Sequence, residues 1–555
     1  MTRKRILIVG GVAGGATAAA HARRISEDAE IIIFEKGSHV SFANCGLPYY
    51  VGGEIADKED LLVQTPEGLR SRFNLDVRVM SEVITIDPSN QKIEISDSNS
   101  GKRYWEAYDD LVLSTGAVPL KPPIPGIDVE GHFTVRNIPD IEAICAWITN
   151  HKFGKAVVVG GGFIGLEMVE QLHRLGLQVT LVEALPQVMA PLDPEMAAWL
   201  HQKLRDKNVT LHLNDPVSKF DQPKPEEAAE ASIIELKSGQ RIPADVVILG
   251  LGVRPEIKLG KDAGLEIGDK GGFRVNGLLQ TSAPHIWAIG DAIEVRDFVT
   301  GDWTLIPLAG PANRQGKIVA ENIFGKAMKY PGTCGTSILR LFDVAVASTG
   351  TNEKTLKKMN IPYDAVHLHP PSHASYYPGA SRLTMKVLFN PQTGKLLGAQ
   401  MIGKDGVDKR IDVFATALKA GMTAHDLEDL ELAYAPPFGS AKDPINLAGM
   451  VAEHAIKGEV ENCQWHEIAK LDPHKTVILD VRDEDEREEG YIPGSLHIPL
   501  PNLRIRFTEL PKDQEIITYC QTGQRSYFAS RFLVQQGFKV RNLTGAYCTW
   551  KVAVG

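Results

Sequence analysis

Short aliphatic and β-branched runs recur through the first half of the chain, separated by alanine-rich or amphipathic stretches with glycines at the junctions. The segment Lys4 to Val9 carries a short β-branched and aliphatic run, glycines follow at 10, 11, 14 and 15, a helical stretch reaches Arg24, and Ile31 to Phe34 is apolar again. A short apolar run without alternation fits a strand buried on both faces, so the segment predicts a βαβ unit of a parallel sheet. The pattern returns at Ala156 to Val159, glycines 160 to 162, a helical stretch to Leu175 and a strand from Gln178 to Val182. Two such units predict two nucleotide sites. Strands ending in glycine turns are also expected between Tyr108 and Pro119 and near Asp245, and residues 285 to 292 form a strand that presents Asp291 at its end. From about 325 to Lys457 strands and helices mix without glycine loops, and from about 460 the sequence starts afresh. There the strands Thr476 to Leu479 and Glu515 to Tyr519 bracket a charged run, Arg482 to Glu489, that reads as a solvated helix face, and a helix runs on through Gln536.

The fold class expected is therefore α/β: two Rossmann-like dinucleotide-binding domains, an α+β domain and a compact C-terminal α/β domain. The domains are placed at residues 1–115 with 245–325, 116–244, 326–457 and 463–555. A length of 555 residues agrees with several cores rather than one. The net charge of −9 argues against a nucleic-acid partner, which needs a basic surface. No stretch approaches the roughly 20 apolar residues of a membrane span, and Gly10 and Gly11 interrupt the N-terminal apolar run too early for a secretory leader, so a cytoplasmic address is expected. The six cysteines, at 45, 145, 334, 463, 520 and 548, form no close pair, so neither a metal site nor a disulfide framework is expected.

Gly160, Gly162 and Gly165 form a complete G-x-G-x-x-G after a strand, and Glu183 ends the next strand. The glycines let a pyrophosphate approach the helix N-terminus, and the carboxylate accepts from a ribose diol while repelling a 2′-phosphate, which favours NADH. The first site keeps Gly10 and Gly15, with Val12 in place of the middle glycine, and Glu35 ends its second strand. Together with the Ser114-Thr115-Gly116 turn and Asp291 after Gly290, it fits the extended dinucleotide FAD, with Asp291 toward the ribityl and pyrophosphate region.

This arrangement resembles the two-dinucleotide flavoprotein disulfide reductases over residues 1 to about 455. The run Ser41-Phe42-Ala43-Asn44-Cys45-Gly46-Leu47-Pro48-Tyr49-Tyr50, with Tyr376-Tyr377-Pro378-Gly379 and Tyr434-Ala435-Pro436-Pro437, is similar to coenzyme A disulfide reductase. The resemblance implies a homodimer whose third domain lends residues to the partner's active site, and a redox thiol, Cys45, beside the flavin. Dithiol relatives carry two cysteines here; Cys45 stands alone, so it cycles through a mixed disulfide or a sulfenic acid. At a helix N-terminus it is expected to be held partly as thiolate. Tyr376 and Tyr434 match family tyrosines that stabilise or protonate a thiolate, with aromatic packing as the other reading. Thr17, His21 and Arg24 share one helix face by the 3.6-residue period. The family uses that face, with Ser41 and Asn44, to hold coenzyme A, and Lys442 fits a phosphate contact. His21 departs from the longer polar side chain of the pattern, and Arg24 reads equally as a solvated helix arginine.

Cys520-Gln521-Thr522-Gly523-Gln524-Arg525 follows an apolar strand and precedes a helix, a loop expected to turn several backbone N–H groups toward one sulfur, with Arg525 adding positive charge. A phosphatase loop is the rival, but only four residues separate Cys520 from Arg525, one short of that loop. With Asp480-Val481-Arg482, the Gly490 to Ser495 segment and Thr544-Gly545-Ala546-Tyr547, the module resembles a single-domain rhodanese, in which this cysteine carries sulfane sulfur. Cys145, Cys334, Cys463 and Cys548 lie in no comparable setting and are assigned no chemistry. The whole chain thus resembles a coenzyme A disulfide reductase fused to rhodanese. The expected activity is NADH- and FAD-dependent reduction of persulfide, polysulfide or coenzyme A disulfide, with small-molecule thiols as partners. An NADH oxidase or peroxidase cycling through Cys45 sulfenic acid, or a sulfur sensor without turnover, are the alternatives.

Overall fold

The structure, a computed structural model, describes residues 3–150, 154–221 and 232–555. The chain divides into two compact units, residues 1–186 with 209–335 and residues 187–208 with 336–555.

Two parallel five-stranded sheets organise the first unit. In one, the strands lie in the order Ile286–Ala288, Asp110–Leu113, Arg5–Val9, Glu30–Phe34, Asp76–Arg78. In the other the order is Thr210–His212, Gln178–Val182, Lys155–Val159, Val246–Leu249, His132–Phe133. Ile6, Leu7 and Ile8 and their counterparts Ala156, Val157 and Val158 are essentially inaccessible to solvent, as strands covered on both faces must be. Val246–Leu249 pairs with Ala156–Val159, so the second sheet takes its strand from just beyond the expected boundary at 245. Each sheet carries a three-stranded antiparallel meander in the same unit, Ser81–Asp87 to Arg103–Ala107 and Val217–Asp221 to Arg241–Ala244. The first helix, Gly14–Ile25, packs on Ala309–Ile323. Gly316 is required at that crossing, since a Cβ there would lie 2.6 Å from the Gly14 carbonyl oxygen.

The second unit holds an antiparallel sheet in the order Ser337–Leu341, Val344–Gly350, Leu396–Gly403, Thr384–Phe389, Asp364–Leu368, with the helices Val407–Ala420 and Pro444–Ile456. Its C-terminal part is a parallel sheet in the order Glu461–Cys463, Val540–Leu543, Glu515–Tyr519, Thr476–Asp480, Leu496–His497. Thr544 Oγ1 accepts from the His367 backbone N–H, and His369 Nε2 meets Thr549 Oγ1 at 2.9 Å, so the two sheets of this unit are joined by buried polar contacts. The run Arg482 to Glu489 is the solvated helix face expected only in part, with Asp483, Glu484, Asp485, Glu488 and Glu489 exposed. Only Glu484–Glu488 is helical, Arg482 is fully buried, and both Arg482 and Arg487 donate to the buried Asp480 carboxylate. Among the described residues no helix is long and apolar enough to cross a membrane.

Candidate functional site

The two glycine motifs build matching cradles. A Cβ on Gly15 would lie 1.9 Å from the Gly10 carbonyl oxygen, and one on Gly165 1.9 Å from that of Gly160, so only glycine allows each helix to approach its strand. A Cβ on Gly162 would meet nothing within 4 Å, which leaves that turn open for a ligand. Neither the helix Gly14–Ile25 nor Phe163–Arg174 has a side-chain cap, whereas Thr65 caps Pro66–Phe73 in the same unit. Uncapped N–H groups at a helix start are what a pyrophosphate takes up. The acidic residues follow suit: Glu35 accepts from Gly11 and Gly37, and Glu183 from Gly161 and Leu185. Thr115 donates through Oγ1 to the Glu256 carbonyl, and Gly116 holds φ +70°.

Asp291, in the turn Gly290–Ala292, accepts no hydrogen bond among the described residues, and burial pushes its carboxyl up to about 6. A half-buried carboxylate without donors fits a ligand that brings hydroxyls, as the ribityl chain of FAD does. The raised value also fixes a sign. The folded chain holds this proton more tightly than the unfolded one, so the carboxyl's contribution to stability falls as pH rises from about 4 to about 6. Flavin-stripped Asp291→Asn should therefore gain in unfolding temperature over the parent across that window, and bind FAD more weakly. Equal midpoints at every pH in a thermal-unfolding series would contradict the assignment.

Cys45 sits in the 3₁₀ turn Asn44–Gly46 ahead of the short helix Leu47–Val51, with its residue exposed. Its thiol is raised above the ordinary value, first by partial burial of the sulfur and then by the charges of Glu167 and Asp291. The thiolate expected from a helix N-terminus is thus not favoured by the chain's own groups, because burial of the sulfur, with two nearby carboxylates adding to it, opposes a single five-residue turn. Glu167, which accepts from the Tyr49 hydroxyl at 3.3 Å, was missed in the sequence, where nothing ties a residue of the second glycine helix to Cys45.

Thr17, His21 and Arg24 do share a face, and it is turned toward Ala309–Ile323. Thr17 Oγ1 bonds Asn313, His21 pairs with Glu321 at 2.9 Å, and exposed Arg24 reaches the other His21 ring nitrogen. His21 is thereby engaged within the unit. Exposed Arg314 and Lys317 on that neighbouring helix add cations that no sequence spacing connected to residue 24. Ser41 is buried at φ +49°, while Asn44 is exposed.

In the second unit the hydroxyls of Tyr376 and Tyr434 lie 2.8 Å apart, although the two residues are 58 positions apart. Both are exposed, Tyr376 at 74%, and the bond to Tyr376 raises the Tyr434 phenol. Exposed Lys442 precedes Asp443, the cap of helix Pro444–Ile456.

Cys520 is buried at the end of its strand, and its Sγ accepts the Gly523 N–H at 3.1 Å. Gly523 holds φ +110°, open only to glycine, and this aims its amide back at the sulfur. Where several backbone donors were expected, Gly523 alone bonds the sulfur among the described residues. Arg525 is paired with Asp483 and Glu486, so its charge acts on Cys520 without a direct bond.

Residues 4–316 match the pyridine nucleotide-disulphide oxidoreductase family model, residues 337–443 its dimerisation domain and residues 466–553 the rhodanese-like domain. The chain belongs to the pyridine nucleotide-disulphide oxidoreductase family and carries a C-terminal rhodanese domain; it is an oxidoreductase, and the family implies FAD and NAD(P)H. The coenzyme A disulfide reductase of Staphylococcus epidermidis is 37% identical over 450 residues, covering 81% of this chain and all of that one. The crystal structure of reduced Bacillus anthracis CoADR-RHD is 49% identical with a TM-score of 0.97, covering 100% of this chain and 99% of that one. An NAD-dependent persulfide reductase from A. fulgidus is 37% identical with a TM-score of 0.91, covering 98% and 100%.

Proposed function

We propose that this chain is an NADH- and FAD-dependent reductase of sulfur–sulfur bonds in persulfide, polysulfide and coenzyme A disulfide, with Cys520 carrying sulfane sulfur and Cys45 as the reducing thiol. One observation carries the reading. The chain holds two thiols of different kinds, Cys45 in an accessible turn within electrostatic reach of the half-buried Asp291, and Cys520 enclosed in a loop that gives its sulfur a backbone donor. The persulfide reductase of A. fulgidus and the coenzyme A disulfide reductase of S. epidermidis support it, as does the dimerisation domain for a homodimer in which Tyr376 and Tyr434 serve the partner's Cys45.

FAD, when bound, accepts a hydride from the nicotinamide and supplies the electron pair to sulfur. The remaining work falls to the chain. Cys45, as thiolate, attacks the outer sulfur of a persulfide; the S–S bond breaks and the carrier leaves as a thiolate, for which the Tyr376–Tyr434 pair is the proton donor. Two electrons then cleave the new bond, releasing hydrosulfide and restoring the Cys45 thiolate. With coenzyme A disulfide, the same attack leaves a mixed disulfide and one free coenzyme A. Thr17, His21, Arg24, Ser41, Asn44 and Lys442 are assigned to coenzyme A, with Arg314 and Lys317 as further phosphate donors.

The test compares NADH consumption by the FAD-loaded protein with polysulfide, coenzyme A persulfide, coenzyme A disulfide, oxygen and peroxide. A sulfur acceptor is expected to be fastest by at least about tenfold in kcat/KM; faster turnover with oxygen or peroxide overturns the reading. Glu183, its carboxylate held beside Gly161, sets the preference for NADH. Glu183→Ala should raise KM for NADH about tenfold, the worth of a hydrogen bond to a charged group, and narrow the NADH-to-NADPH ratio in kcat/KM. An unchanged ratio would remove Glu183 from that role.

A further inference from the structure

Cys548, which carried no signal in the sequence, lies against the Cys520 loop. In the second unit the Tyr547 N–H donates to the Cys520 carbonyl at 3.0 Å, and the Cys548 N–H to the Gln521 carbonyl at 3.1 Å. Two donors then converge on the Cys548 sulfur: Arg382 Nη1 at 3.2 Å and Gln521 Nε2 at 3.5 Å. The orientation of Gln521 is dictated by its other end. Arg482 Nη1, which can only donate, takes the amide oxygen at 3.2 Å, and Arg482 is itself locked on Asp480. The amide nitrogen is left to face Cys548.

A cysteine buried only for packing is content among apolar neighbours and does not need a guanidinium. Burial raises the Cys548 thiol, the charge of Cys520 adds to the rise, and Arg382 and Gln521 oppose it. The Cys548 sulfur thus lies within reach of the charge of Cys520, and the donors around Cys548 are those an anionic sulfur uses. Arg382 comes from outside the rhodanese-like domain. It pairs with Pro371 at the base of the loop whose tip bears Tyr376.

We propose that Cys548 is a second sulfur-carrying thiol that takes sulfane sulfur from Cys520 and holds it as a persulfide between Arg382 and Gln521. The inference rests on the reading of Cys520 given above. Thiosulfate loads Cys520 when the thiolate attacks its outer sulfur and sulfite leaves. The Cys548 proton then passes to the Cys520 persulfide, and the Cys548 thiolate attacks the outer sulfur. The S–S bond to Cys520 breaks as the bond to Cys548 forms, and the Cys520 thiolate takes up the proton. The transfer is redox-neutral: one persulfide anion and one thiol give one thiol and one persulfide anion.

Trypsin, cutting after Lys512, Arg525, Arg541 and Lys551, puts the two thiols in separate peptides. The full-length FAD-loaded protein is mixed with thiosulfate in the absence of NADH, alkylated at successive times, digested and weighed. The extra sulfur should appear first on the Cys520 peptide and then on the Cys548 peptide. Cys520→Ser should leave both unloaded. Cys548→Ser should confine the sulfur to Cys520, which also reports that the domain has folded. Arg382→Gln should cut the loaded fraction of Cys548 about tenfold, the value of a charge-assisted bond. A loaded Cys520 with a bare Cys548 overturns the relay, as does a Cys520–Cys548 disulfide with sulfide released, or loading of Cys548 in Cys520→Ser. Failure of Cys520 itself to load overturns the rhodanese reading along with it.

Discussion

Cys45→Ser should lower NADH-dependent reduction of persulfide and of coenzyme A disulfide by about 10³-fold or more, in the range seen when a nucleophile is removed. Serine keeps the size and polarity of the side chain but cannot form the S–S bond through which the electrons pass. The substitution is gentle on the fold, because residue 45 lies in an exposed turn and contributes nothing to the buried sheets. Two half-reactions separate the roles. Bleaching of bound FAD by NADH without oxygen should proceed as in the parent, since Glu183 and the second glycine cradle are untouched. Reoxidation of that reduced protein by persulfide should fail. If the variant still turns over sulfur substrates, another thiol is the reductant and the proposed path is wrong.

What could be read in the sequence was what the backbone demands locally. Gly15 and Gly165 must be glycine because a carbonyl lies where their Cβ would go, and Glu35 and Glu183 must follow their strands closely to reach the neighbouring glycine amides. The Cys520 loop is likewise contiguous, so its residues announce its geometry. Features set by distant parts of the chain were not legible. Partial burial of the Cys45 sulfur raises its thiol, and the carboxylates that add to the rise come from positions 167 and 291. Arg482 is hidden for a different reason: its partner Asp480 is only two positions away, but both are buried only when the sheet forms. Nothing in the sequence tied His21 to Glu321, which pairs with it from a helix 300 positions away. Cys548 gained a meaning only through Arg382, a residue 166 positions distant.

Lys386→Met should destabilise the second unit by about 3–5 kcal/mol, the cost of breaking a buried ion pair from one side. Lys386 stands on the buried strand Thr384–Phe389 with no solvent exposure, and its ammonium lies 2.9 Å from both Asp193 and Glu353 and in contact with Glu195. Burial alone would push this lysine down and the acids up. The reverse holds: Lys386 is raised while Glu195 and Glu353 are lowered, so mutual attraction outweighs desolvation. The network ties Asp193, Glu195 and the helix Pro194–Asp206 to the sheet, so its loss should be felt first there. The pH dependence follows from the carboxylates. Their contribution is full above the ordinary glutamate value of 4.5 and is lost as pH falls below it. Once methionine replaces the lysine, burial raises those same acids, and they escape the penalty by taking up protons. The gap between parent and variant should therefore narrow as pH drops from 7 toward 5, and Glu195→Gln added to Lys386→Met should recover part of the loss. Hydrogen exchange along residues 194–206 and 384–389 reads this locally in a chain whose unfolding is not two-state. Unaltered protection in Lys386→Met at pH 7 would mean that Glu195 and Glu353 are not held as carboxylates by this lysine.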